Sequence, residues 1–223
     1  MGDYILADML AERIARRASE TGVATFVAPC LPFGVADYFG SSPGGLALTP
    51  GHFRGVLNDI LDGLLRHGLS NIIILNGHGG NVPVIHEVTL GIRRSRGMVI
   101  PSFYLWKVAR QLMEKRIGSG EGRFGHGAEP VLSLNLALRG DSVSATSDKA
   151  DVPHKMLGLP VSGFGTLDFE GLSIEAPVEF DKVPRDAVEK AWTAGSAELG
   201  EDVAEAVVAA GARFISHFSS YSG

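Results

Sequence analysis

Residues Asn71-Ile72-Ile73-Ile74-Leu75 form an apolar, β-branched run, and Asn76-Gly77-His78-Gly79-Gly80-Asn81 follow it directly. An apolar run without alternation suits a strand buried on both faces of a parallel sheet. Parallel strands need crossover helices, and helical patterns flank the run on both sides. Upstream, Phe53, Val56, Leu57, Ile60, Leu61, Leu64 and Leu65 recur at i, i+3, i+4 and i+7, between a Thr49-Pro50 start and a stop at Gly68. Downstream, the spacing predicts a helix from the glycine loop to about residue 94.

The rest of the chain repeats this alternation. Ile5, Leu6, Met9, Leu10 and Ile14 predict a helix over 4–19, closed by Gly22. Val23 to Ala28 reads as a short buried strand, and residues 29–49 as a long loop rich in Pro, Gly and Ser. Met98 to Tyr104 reads as a strand, about 105–116 as a helix, and Gly118 to Gly127 as a Gly-rich loop. A helix over Pro130 to Leu138 stops at Gly140, and a long helical region covers roughly 183–217. Residues 141–182 show no clear period. Helices alternating with apolar strands give an α/β fold with a mostly parallel sheet covered on both sides. Nothing resembles a linker or repeat, so residues 1–223 read as one domain.

Charge and cysteine content narrow the function. The net charge is −5 and no Lys/Arg cluster occurs, which argues against nucleic acid or a membrane surface as partner. No stretch is apolar enough to span a bilayer, and the first residues lack the order of a signal peptide. The single cysteine, Cys30, cannot form an internal disulfide. Together these predict a cytoplasmic protein. Cys30 has no basic neighbour in sequence and reads as inert.

Two segments carry the chemistry. His78 sits in a glycine-rich turn at the carboxyl end of the apolar strand, the edge where open α/β sheets bind ligands. Its glycines allow a sharp turn and a close approach to a metal or substrate. The plainer reading is a strand-to-helix turn capped by Asn81 with His78 solvated. A phosphate cradle is a further reading, although the pattern is neither GxGxxG nor a Walker loop. The second segment is Gly125-His126-Gly127-Ala128-Glu129, at the end of the Gly-rich loop. An imidazole and a carboxylate three residues apart suit metal ligation or proton transfer at a cleft mouth. Glu129 ahead of Pro130 could equally serve as an acid at a helix start. His52, His67, His86, His154 and His217 read as surface or packing residues.

The run Ile72 to Asn81 resembles the hallmark of the creatininase (creatinine amidohydrolase-like) family. Pro32-Phe33-Gly34-Val35 with Pro43-Gly44, then Gly125 to Glu129 with Ser133, then Ala197-Glu198-Leu199-Gly200, resemble further family segments in the same order. The resemblance implies a three-layer αβα sandwich and hydrolysis of a non-peptide amide C–N bond, cyclic amides included. It implies up to two divalent metals (zinc, manganese or iron), a small-molecule amide substrate and a homo-oligomer, with hexamers frequent in the family. Met1-Gly2-Asp3 resembles the tail of the family's His-Leu-Pro…Asp segment. Asp3 is then expected as the bridging metal ligand, His78 as a second and Glu129 as a third, with His126 as catalytic base or acid. Asn76, Gly79, Gly80, Asn81 and Tyr38 are expected on the substrate side. The family's first strand, with its Glu-x-His pair, is expected to be missing from the 223 residues. Gly80 stands where creatininases proper carry a metal-binding glutamate, and Asp37-Tyr38-Phe39 lacks a histidine that many members show. Creatinine itself is therefore not the expected substrate. Asp3, two residues from the terminus, is expected to fray unless tied down, and slow turnover is expected with it.

Overall fold

The computed structural model describes residues 2–40, 44–119, 124–125, 127–140, 155–163, 165–179 and 195–221. Helix α1 (Asp3–Glu20) opens the chain, and α2 (Pro50–Arg66) follows a long loop containing a single 3₁₀ turn at Asp37–Phe39. Strand β1 (Ile74–Asn76) leads through a 3₁₀ turn at Gly79–Asn81 into α3 (Val82–Arg96). Strand β2 (Ser102–Tyr104) runs directly into α4 (Leu105–Ile117), and α5 (Val131–Arg139) comes next. Four short strands then form an arm: β3 (Lys155–Met156), β4 (Leu159–Gly163), β5 (Thr166–Phe169) and β6 (Leu172–Glu175). Helix α6 (Ala197–Ser219) closes the described chain.

Two of the described helices, α2 and α6, begin at side-chain caps. The Thr49 hydroxyl accepts a hydrogen bond from the His52 amide at 3.3 Å, with Pro50 at the first position of α2. The Ser196 hydroxyl accepts from the Leu199 amide at 3.3 Å and starts α6. Gly97 takes φ 68°, the left-handed conformation that ends α3.

Strands β1 and β2 pair in parallel, with Ile74 opposite Ser102 and Asn76 opposite Tyr104. Their side chains part to opposite faces. Ile72, Ile74, Met98 and Ile100 pack with Phe53, Leu57, Leu61, Val84, Ile85 and Val88 of α2 and α3. Leu75 and Phe103 pack with a second cluster, built on Leu6, Leu10 and Ile14 of α1, Leu105 and Met113 of α4, Leu134 of α5, and Val203 and Val207 of α6. The pair thus runs between two helical groups, as period-two alternation requires of a strand with apolar residues on both faces.

Three expectations change. The mostly parallel sheet is represented among the described residues by this one parallel pair, and the other four strands are antiparallel, in the order β3-β4-β5-β6. That arm falls in the stretch whose pattern shows no period, because its strands are only two to five residues long. Val23 to Ala28 is not a buried strand: no described strand pairs with it and Phe26 is 91% exposed. Its β-branched composition has no neighbouring ladder to join. Of the helical region expected over roughly 183–217, residues 183–194 lie outside the described ones, and Gly195 and Ser196 precede a helix that starts at Ala197. No described helix is long and apolar enough to cross a membrane.

Leu10 is fully buried between α1 and the second cluster, whereas Phe26 is almost fully exposed. Leu10→Ala should cost about 2–5 kcal/mol in urea unfolding. Phe26→Ser should stay within about 0.5 kcal/mol of the parent. Equal losses at the two positions would contradict this division between core and surface.

Candidate functional site

The carboxyl end of β1 meets the first turn of α1. An added Cβ at Gly77 would stand 2.8 Å from the Ala7 Cβ and 3.1 Å from the Asp3 carbonyl oxygen, so only glycine lets the two elements come this close. The same approach places His78 beside Asp3: imidazole Nδ1 lies 3.2 Å from Asp3 Oδ2. The His78 side chain is 18% exposed and that of Asp3 42%. Asp3 does not fray. It is the first residue of α1, the Leu6 amide donates to the Gly2 carbonyl at 3.0 Å, and Leu6 is fully buried.

A network of amides holds the loop that carries His78. Asn76, 3% exposed, accepts from the His78 amide at 3.1 Å through Oδ1 and donates to the His78 carbonyl at 2.9 Å through Nδ2. Asn81 donates to Asn76 Oδ1 at 3.2 Å and accepts from the Val35 amide at 2.8 Å. The two asparagines expected to face substrate therefore commit their side chains to the backbone of the site. Gly80 is required for the same packing, because a Cβ there would fall on the Val35 carbonyl. Through Val35, Asn81 and Gly80 the loop of residues 30–39 is fastened to the histidine loop.

That loop brings Tyr38 to the other nitrogen of the imidazole. The Tyr38 hydroxyl is 2.9 Å from His78 Nε2, and the two rings lie 19° from parallel. Burial is the main cause that lifts the phenol from its ordinary 10.0 to about 12, with the Asp3 carboxylate and then Tyr104 adding to it. Tyr104, the last residue of β2, has its hydroxyl pressed over Gly79, where an added Cβ would be 2.9 Å away. Its phenol is also raised, by burial first and by Asp3 second. Tyr104 was not singled out from the sequence, although the last residue of a neighbouring parallel strand belongs to the same ligand-binding edge.

Glu129 is committed to other partners. It is 1% exposed, not at a cleft mouth, and its carboxylate accepts from the Ser133 hydroxyl at 2.5 Å and the Ser133 amide at 3.2 Å. The Ser133 hydroxyl in turn accepts from the Ser196 amide at 3.0 Å. Glu129 thus caps α5 and ties it to the start of α6. Among the described residues no three His, Cys, Asp or Glu side chains gather as a metal-holding group. His126 lies outside the described residues, as does His154.

The family model for creatininase (creatinine amidohydrolase) matches residues 2–215. The chain belongs to the creatininase family. A creatininase point mutant complexed with creatine is similar to it at 21% identity and a TM-score of 0.70, over 98% of this chain and 84% of that one. A creatinine amidohydrolase (creatininase) crystal structure is similar at 22% identity and a TM-score of 0.68, over 96% and 81%. A manganese creatininase follows at 23% identity and a TM-score of 0.67, over 95% and 80%. A Zn–Zn creatininase mutant is among the others. These likenesses show a creatininase-like α/β fold. No curated protein sequence matches.

Two measurements check this geometry. Tyr38 should ionise near pH 12 in a tyrosinate absorbance titration, and Tyr38→Phe should remove that step. The folded value exceeds the unfolded value near 10, so the folded chain holds this proton more tightly. The associated stability is intact below about pH 10 and is lost as pH rises through about 12. Separately, Ser133→Ala removes one of two donors to a buried carboxylate and should cost about 1–3 kcal/mol in chemical unfolding. A neutral effect would mean that the carboxylate has another partner.

Proposed function

We propose that this chain is a metal-dependent amidohydrolase acting on a non-peptide amide C–N bond, cyclic amides included. The carrying observation is the convergence of Asp3 Oδ2 and His78 Nδ1 to 3.2 Å at the carboxyl edge of the parallel pair. Family membership supports the reaction class. We also read the β1–β2 pair, with helices packed to either side, as the centre of a three-layer αβα sandwich.

The donors suit a divalent ion. Ligand atoms about 2.0–2.2 Å from one ion, at angles between 90° and the tetrahedral value, stand about 2.9–3.5 Å apart. The observed separation falls inside that range. Imidazole and carboxylate together suit zinc, manganese or iron. The forms named for the similar structures are manganese and zinc ones. Such an ion supplies Lewis acidity toward an amide carbonyl and toward water.

The chain's own residues would do the rest. Asp3 and His78 hold one ion and leave positions open. Glu129 joins as a third ligand on the family pattern, and would have to exchange Ser133 for the ion. His126 is the proposed proton carrier to the leaving nitrogen. Tyr38, Gly79 and Gly80 line the approach, where the half-buried phenols of Tyr38 and Tyr104 stay protonated at neutral pH and can donate to a substrate oxygen. The same proposal includes a cytoplasmic setting and a homo-oligomeric assembly.

One observation favours a second reading, a creatininase-like subunit that binds a ligand or partner without turnover. Glu129 is committed to Ser133, so among the described residues only two candidate ligands converge. Metal content and turnover on a panel of small linear and cyclic amides separate the readings. The amidohydrolase reading expects about one tightly held ion per chain, slow hydrolysis of at least one amide, and loss of both in Asp3→Ala and His78→Ala. Metal bound without any turnover favours the second reading. Turnover that survives both substitutions removes the pair from the chemistry.

A further inference from the structure

The imidazole of His78 has two nitrogens in different surroundings. Nδ1 faces the Asp3 carboxylate, whose side chain is 42% exposed. Nε2 faces the Tyr38 hydroxyl at 2.9 Å, and an added Cβ on Gly80 would stand 3.2 Å from it. Gly80 itself is packed against the Val35 carbonyl. The Nε2 side is therefore closed by protein, while the Nδ1 side opens past a carboxylate toward solvent.

We infer that Tyr38 is a positioning residue that reserves His78 Nε2, so that a divalent cation is taken on Nδ1, between it and Asp3 Oδ2. This rests on the metal-site reading above and adds which nitrogen binds and what orients it.

The hydrogen-bond chemistry gives the sequence of states. An ionised carboxylate only accepts, so with no cation present the neutral ring carries its proton on Nδ1 and donates to Asp3. The bare Nε2 then accepts from the Tyr38 hydroxyl. A cation taken by Nδ1 needs that lone pair free, so the ring proton moves to Nε2, exchanging through solvent. The ring stays neutral and no proton is lost from it. Nε2–H now donates, and a phenol oxygen can accept that bond while keeping its own proton, which rotates away. A hydroxyl serves both states because it both donates and accepts, and phenylalanine would serve neither. Ligating histidines are commonly oriented in this way by a partner on the second nitrogen.

The test uses cadmium as the probe and long-range proton–nitrogen NMR at about pH 8, above the ordinary imidazole range near 6.5. In the metal-free protein His78 should carry its proton on Nδ1. With cadmium added, scalar coupling to the metal should appear on Nδ1 and the proton on Nε2. Tyr38→Phe, which keeps the ring and loses only the hydroxyl, should weaken cadmium binding about 10- to 100-fold. Cadmium coupling to Nε2 in the parent protein overturns the inference and leaves the metal site standing. Unchanged or tighter binding by Tyr38→Phe also overturns it, since Tyr38 would then be irrelevant to the cation or in competition with it. No cadmium coupling at either nitrogen of His78 overturns the metal reading and this inference together.

Discussion

The site depends on the burial of α1. Leu6 and Leu10 are fully buried against α4 and α6, and this apolar anchorage fixes a helix whose first residue is Asp3. Full burial of a leucine side chain is worth about 1.5–3 kcal/mol, several times what a half-exposed carboxylate gains from a surface partner. The Asp3–His78 contact is thus a consequence of core packing and does not hold the helix in place. The ion pairs joining Arg13 to Glu201 and Arg17 to Glu205 lie on the solvent side of the same helix pair, where they add little. A residue near a chain end becomes a site residue because the turn after it is core.

The second constraint is the closeness of the backbone around His78. Residues 3, 35, 38, 76–81 and 104 come from four separate parts of the chain, and they meet because glycine stands at the points of contact. Gly77 admits α1 and Gly80 admits the Val35 carbonyl, while the amides of Asn76 and Asn81 satisfy the backbone groups that such a turn strands. Buried polar networks of this kind rigidify when every member is paired. Both Asn76 amide atoms and both Asn81 amide atoms are paired, so the imidazole is held in a loop with little freedom to reorient.

These two constraints explain what could be read from the sequence. Helices α1 through α5 carry clear 3.6-residue stripes and are legible to within a few residues of their ends, because amphipathic burial is local. The histidine loop is legible because strand, glycines and histidine are contiguous. Val23 to Ala28 misleads because strand propensity needs a partner strand, and pairing is a property of the whole sheet. The β3–β6 arm is illegible for the opposite reason: its strands are short, one pairing carries a bulge, and Leu157 and Glu170 take φ 54° ahead of Gly158 and Gly171, a left-handed conformation that their side chains do not announce. Tyr104 escapes notice because only the β1–β2 register puts it beside Asn76.

Glu129 shows where a motif and its local physics diverge. An acid ahead of a helix fits both a metal ligand and a cap, and sequence spacing cannot separate the two. In the fold, the Ser133 hydroxyl donates to the carboxylate and accepts from the Ser196 amide, so Glu129 and Ser133 share one relay with a residue 63 positions beyond Ser133. A buried carboxylate without donors would be costly, and Ser133 supplies two, one from its side chain and one from its amide. The relay joins α5 to α6, the helix that also covers α1. Glu129 thus joins α5 to α6, and α1, which carries Asp3, packs on both of these helices.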